Sequence, residues 1–232
     1  MNFINWLKDS LYYSLIYDNR YEYIIEGLFN TILISIFAVM IGIIIGIIIA
    51  LVRNYNEQTG KLKLLNFISK TYVNIIRGTP VILQLMIIYY VIFKSVDINI
   101  VVVGILAFGI NSGAYVAEII RAGIKSIDKG QSEAGYSLGL KYNQVMRFIV
   151  LPQAIKNILP ALCNEFITLI KETSVGAYIG IIELTKASDI IASRTYDYFF
   201  PLIIIALIYL ILTLGLSKLV AILEGRLNNV NY

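Results

Sequence analysis

Long apolar runs constrain this chain more than any other feature. Ile32–Val52 passes through twenty-one residues without a charged side chain, and Pro201–Leu214 repeats the pattern. A bilayer core of about 30 Å takes about 20 such residues as a helix. Lipid gives backbone groups no water, so each span must close its own hydrogen bonds. Alternating strands of the barrel type are absent from the sequence. The 58% hydrophobic content exceeds the usual soluble range of about 45–50%, and no linker or low-complexity tract divides the 232 residues. We therefore expect one transmembrane domain over 1–232, an all-α polytopic helical bundle.

Five spans are expected, at roughly Tyr23–Val52, Leu64–Phe93, Ile98–Arg121, Pro152–Ile170 and Tyr198–Leu219. Basic residues set the orientation. With the amino terminus outside, twelve Lys and Arg fall on the cytoplasmic side and six outside, with Arg77 inside a span. That bias predicts an N-out, C-in chain. The net charge of +4 could by itself hint at nucleic acid, but in a membrane chain the placement of charge matters more than its sum, and no nucleic-acid partner is expected. Residues 1–19 lack a basic start followed by an apolar core, so no signal peptide is expected. Ile4, Leu7, Leu11 and Leu15 recur at helical spacing beside Trp6 and Tyr12, which suits an interfacial amphipathic helix within 1–20 or a tail with some apolar residues. Gly42 and Gly46 form a GxxxG that suits either a subunit contact or packing within the chain. The aromatics Tyr196, Tyr198, Phe199 and Phe200 read as an interfacial belt.

There is no His and a single cysteine, Cys163. Catalysis by Ser-His or Cys-His pairs and Cys/His metal clusters are excluded. No phosphate-binding G-x-x-x-x-G-K-[ST] loop occurs. No cofactor or metal is expected, and energy must come from a partner, a gradient or nothing.

The segment 125–151 is too polar for lipid and too patterned for a slack loop. Asp128 or Ser132 suits a helix start, Glu133–Leu138 a short helix, and Gly139 a left-handed stop. Helical spacing resumes through Val145, Phe148 and Ile149 and is expected to stop at Leu151-Pro152. This reads as a docking surface or as a compact loop without a partner.

Here the sequence resembles a known family. Glu133-Ala134-Gly135, Gly139, and Ile149-Val150-Leu151-Pro152 resemble the EAA motif of bacterial binding-protein-dependent ABC permeases, with Gly135 replacing the third motif residue. Arg77-Gly78-Thr79-Pro80 with Gln84, Ala114–Ile124, Asn164-Glu165-Phe166-Ile167 and Lys171-Glu172-Thr173-Ser174 resemble blocks of its polar amino acid members. The likeness runs from about Gly27 to the carboxyl end. It implies a type I importer permease fold in the bacterial cytoplasmic membrane and pairing with a second permease chain, like or unlike. It further implies two cytoplasmic ATP-binding subunits and an extracytoplasmic amino-acid-binding protein. The EAA segment would be the coupling helix, with Glu133, Ala134, Gly135, Gly139, Leu151 and Pro152 meeting or shaping the ATPase contact.

Charges inside a bilayer are costly and usually face a cavity or a partner. Glu165 follows Pro160 on a partly polar span, where a carboxylate suits an ammonium or guanidinium group. Asn164, Gln84 and Asn111 are expected beside it, with Tyr115 as a wall. The other reading pairs Glu165 with Lys171 or a second subunit. Pro80 is expected to kink or unwind the second span, with Arg77 held by a carboxylate. Glu118 and Arg121 lie near a span end and suit a pair within the chain. Glu183, Asp189, Arg194 and Asp197 suit an outer segment that either meets the binding protein or is simply solvated. The residues alone leave a gradient-driven carrier or channel and a membrane enzyme as other classes. The carrier would often show internal repeats, and the enzyme needs a catalytic constellation.

Overall fold

The computed structural model describes residues 3–228, and everything described is helix, turn or short connection. Met1 and Asn2 of the expected 1–20 helix, and 229–232 of the single domain, lie outside the described residues.

Helix α1 covers Phe3–Leu11, and a tight irregular turn through Asp18 and Asn19 leads into α2, Tyr21–Thr59. At 39 residues α2 is about 58 Å long, well beyond a bilayer core. It overruns the expected Val52 end because Arg53–Thr59 contains no Gly or Pro to break the helix before Gly60. There the backbone turns left-handed, at φ +69°. The Asn56 amide donates to the Lys61 carbonyl (2.6 Å) and its oxygen accepts from Asn66 (2.7 Å), fixing the corner to α3.

The expected second span is not one helix. It consists of α3, Lys63–Gly78, and α4, Val81–Ile87, which runs on through a wider turn to Ile92, with a bend of 109° between them. Pro80 has no N–H to donate and forces its predecessor out of the helical region, so Thr79 is extended at φ −124°, ψ 148°.

Helix α5, Ile100–Lys125, is the most buried span and packs along α2. The packing decides the GxxxG question. A Cβ on Gly42 would lie 2.8 Å from Ser112 Oγ, and one on Gly46 would lie 2.4 Å from Val116 Cγ1. These glycines serve close packing within the chain, not a subunit contact.

Beyond α5 come α6, Lys129–Ser137, and α7, Tyr142–Val145. A wide turn over Met146–Val150 joins α7 to α8, Leu151–Glu172. Helical structure therefore does not stop at Leu151-Pro152 as expected. The wide turn carries the chain past the proline, which sits in the first turn of α8 where its missing N–H does least harm. Pro160 also lies inside α8 without ending it.

The outer segment departs furthest from expectation. It holds a helix, α9, Leu184–Thr195, whose buried face is Leu184, Ala187, Ser188 and Ile191. Glu183 is no solvated charge. It is fully buried and accepts from the Thr185 (2.8 Å) and Lys186 (2.6 Å) N–H groups and from the Tyr209 hydroxyl (3.0 Å). Burial pushes its carboxyl above the ordinary range, and those three donors oppose the shift. The Asn30 amide ties α2 to the same corner through the Ile182 carbonyl, at 2.8 Å. Asp189 does face outward, and the Lys186 ammonium 2.7 Å away holds its carboxyl below the usual range. Helix α10, Phe199–Asn228, closes the bundle. Of the expected aromatic belt, Tyr196, Tyr198 and Phe199 are exposed, but Phe200 is buried against Trp6, with ring centroids 5.2 Å apart.

Candidate functional site: a polar track and a helical elbow

The break in the second span organises the interior. Gln84, one turn into α4, reaches back across it. Its amide donates to the Ile76 carbonyl (2.8 Å), the Thr79 carbonyl (3.1 Å) and Thr79 Oγ1 (2.8 Å). These are acceptors that the bend leaves without a helical donor. Gln84 Oε1 in turn accepts from the Asn111 amide of α5, at 2.9 Å. Asn111 is buried, and its own Oδ1 has no hydrogen-bond partner. Next along α5, Ser112 Oγ donates to Glu165 Oε1 of α8, at 2.9 Å. A polar track thus crosses α4, α5 and α8 at one level.

The expected site residues are only partly brought together. Gln84 and Asn111 are bonded to each other, and Glu165 meets the residue after Asn111. Asn164 is exposed, about 100° around α8 from Glu165. Among the described residues no ion pair joins Glu165 to Lys171; Ser112 takes that place. Ser112 itself is absent from the sequence-based set, since a small hydroxyl on an apolar helix reads as packing. Its one signal is position: it lies three residues before Tyr115, hence on the same helix face.

Tyr115 continues the track one turn along α5, with the Arg77 guanidinium 5.4 Å above its ring centroid. A turn further, Glu118 pairs with Arg53, with Arg121 at 2.7 Å and with Arg77 at 3.8 Å. The carboxylate expected to hold Arg77 is therefore Glu118, although at the long end of pairing distance.

The elbow after α5 is built from backbone geometry. Asp128 caps α6, accepting from Gly130 N–H at 2.6 Å. At the far end Leu140 N–H bonds the Gly135 carbonyl (3.2 Å) and Gly139 N–H the Tyr136 carbonyl (2.9 Å). This is the paired arrangement that ends a helix through a left-handed residue, and Gly139 stands there at φ +80°. Gly135 is buried: a Cβ there would lie 2.7 Å from Ile149 Cδ1 and 2.9 Å from Val145 Cγ2, so α6 lies directly against α7 and the wide turn that leads into α8. Leu151 packs into the same cluster, while Pro152 is exposed. Glu133 and Ala134 face outward with Leu138, which is 81% exposed. Behind the elbow lies a polar cavity of about 440 Å³ between Asn54, Glu57, Lys125, Ser132 and Tyr142. Lys125 pairs with Glu57 (2.8 Å) and Asn54 with the Tyr142 hydroxyl (2.8 Å), which links the end of α2 to the elbow.

A bundle with a broken span, a polar track at membrane depth and an ordered elbow outside it defines a membrane transport subunit. Residues 39–229 match the family of binding-protein-dependent transport system inner membrane components. The glutamine transport system permease protein GlnP of Rickettsia bellii, so named by similarity, is 42% identical over 172 residues, which cover 73% of this chain and 79% of that one. The arginine transport system permease protein ArtQ of Bacillus subtilis is 42% identical over 165 residues, covering 70% and 75%. A crystal structure of an amino acid ABC transporter with histidines superposes with a TM-score of 0.83 at 41% identity, covering 97% of this chain and 99% of that one. The chain belongs to this family, among its amino acid permeases, and is a multi-pass subunit of the bacterial inner membrane.

Proposed function

We propose that this subunit passes polar amino acids inward through the membrane, N-out and C-in, beside a second permease chain. Its partners in this reading are two cytoplasmic ATP-binding subunits and an extracytoplasmic amino-acid-binding protein. Glu165 contacts the ammonium or guanidinium group of the cargo. The observation that carries this is the Ser112–Glu165 pair at membrane depth, where Ser112 supplies one hydrogen bond and, among the described residues, no cation pairs with the carboxylate. Glutamine, arginine and histidine, the compounds named for the relatives, all carry an α-ammonium group, so one acidic site serves them all. Asn111 Oδ1, buried and unpaired, is a second acceptor that opens to cargo when the spans tilt. Gln84 frames the site by holding the break, Tyr115 forms the wall below it, and Asn164 lines the approach from its exposed face.

The elbow is the coupling helix in this reading. Glu133 and Ala134 meet the ATPase, Gly139 lets its backbone approach, and Gly135, Leu151 and Pro152 fasten the elbow to α8. Movement of the ATPases then tilts the helix that bears Glu165. Such a subunit changes no bond; it alternates between states of different affinity for cargo. Glu165→Gln tests the site. Uptake should fall at least about tenfold, the worth of one charge-assisted contact, while the assembled complex elutes unchanged. Normal uptake by that variant would remove Glu165 from the path.

A further inference from the structure

The cluster around Glu118 has more cation than it needs. Glu118 is the one carboxylate within pairing distance of Arg53, Arg77 and Arg121 among the described residues. Arg53 and Arg121 occupy it closely, and Arg121 does so through two nitrogens, at 2.7 and 3.3 Å. Arg77 is the outlier. It stands 3.8 Å away, its side chain is 44% exposed, and its guanidinium carbon lies over the Tyr115 ring, 5.4 Å from the centroid. A guanidinium carries five donors in a planar fork suited to a carboxylate, and a single 3.8 Å contact leaves that fork largely unused. An open, weakly paired arginine on a spanning segment must face water or an anion.

Its position is fixed by the same break that builds the polar track. Arg77 lies in the last turn of α3, and Gln84 bonds the carbonyl of the residue before it. Along α5 the order is Ser112 with Glu165, then Tyr115 with Arg77, then Glu118. The step from Ser112 to Tyr115 is about 4.5 Å. An acceptor for an ammonium group and a donor fork for a carboxylate therefore lie on one helix face, a turn apart. An amino acid carries both groups on one carbon.

We propose that Arg77 binds the α-carboxylate of the amino acid as it passes from the Glu165 level toward the Glu118 end, giving up its long contact with Glu118 for a bidentate one with the cargo. This rests on the reading that cargo passes Glu165, and it adds a specificity-determining residue to that site. Tyr115 keeps the guanidinium plane oriented in both positions, and the Arg53–Glu118–Arg121 set stays intact when Arg77 leaves.

The test is equilibrium binding to the purified permease–ATPase complex without binding protein, which would otherwise select the carboxylate itself. The probes are three pairs: L-arginine and agmatine, L-histidine and histamine, L-glutamine and 4-aminobutanamide. Each pair differs by the α-carboxylate. The wild type should bind at least one amino acid about ten- to a hundredfold more tightly than its amine. Arg77→Gln should erase that difference by weakening the amino acid alone, and Arg77→Lys should restore part of it. Arg77→Lys also stands in if the glutamine variant does not assemble: loss of discrimination then shows as a weakened amino acid beside an unchanged amine. Unchanged discrimination in both variants, or equal loss for acid and amine, would overturn the proposal. If Glu165→Gln weakens both members of a pair while the Arg77 variants are silent, the Glu165 reading stands and this one fails. The reverse pattern removes Glu165 and keeps Arg77. A wild-type complex that binds none of the three amino acids overturns both.

Discussion

The polar track and the elbow solve opposite problems. At membrane depth, Gln84, Asn111, Ser112 and Glu165 come from three helices and are joined side chain to side chain in two pairs, Gln84 with Asn111 and Ser112 with Glu165. Each bond there joins groups that lipid would leave unpaired, and the Asn111 oxygen has no partner among the described residues. The elbow is held by backbone bonds and one left-handed glycine, and presents Glu133, Ala134 and Leu138 outward. Water can satisfy whatever it exposes. In the function proposed above this becomes a division of labour: the track rearranges its partners as the helices move, while the elbow transmits force as a rigid piece.

Breaking the elbow should have the largest effect on transport and a small one on the bundle. Proline cannot adopt φ +80°, so Gly139→Pro destroys the helix stop. ATP-dependent uptake should drop to background while the thermal melting of the purified subunit shifts little. Unchanged uptake would show that the elbow couples nothing. Breaking the track should reverse the pattern. Gln84→Ala strips donors from the Ile76 and Thr79 carbonyls and the acceptor from Asn111, and each stranded group costs about 1–3 kcal/mol. Melting should fall clearly with transport only partly reduced; a melting curve like the wild type would mean that Pro80 alone holds the break. The smallest effect should come from Glu133→Gln, since among the described residues the Glu133 side chain makes no hydrogen bond or ion pair, and its carbonyl accepts from the Ser137 hydroxyl. Transport-linked ATP hydrolysis should weaken roughly fivefold, the equivalent of about 1 kcal/mol for one exposed pair. Stability should not change, and a fall in melting temperature would move Glu133 from partner contact to internal support.

The same contrast explains what the sequence disclosed. The first half of the elbow was legible because its signals are local, an Asp cap, a short helix and a glycine stop, although the helix begins at Lys129 rather than Glu133 and the expected stop at Leu151-Pro152 is absent. The spans were legible because an apolar run of this length has few other uses. The track was half legible. Pro80 marked the break, but nothing local says that the two pieces meet at 109° or that Gln84 bridges them. The pair Arg53–Glu118 spans 65 positions, and Ser112–Glu165 spans 53; such meetings are set by tertiary packing, with no trace in spacing. Helix α9 was missed for another reason. Its charges outweighed a real period at Leu184, Ala187 and Ile191, and the Glu183 cap is a charge that by sequence suits a binding-protein contact or solvent equally, not burial.

The most direct test of the central claim is uptake into sealed proteoliposomes holding this chain, its ATPase and its binding protein. Labelled arginine, histidine, glutamine and cystine are offered with and without ATP on the ATPase side. The account predicts accumulation of at least one of them that requires both ATP and the binding protein. Uptake driven by an ion gradient through this chain alone would contradict it.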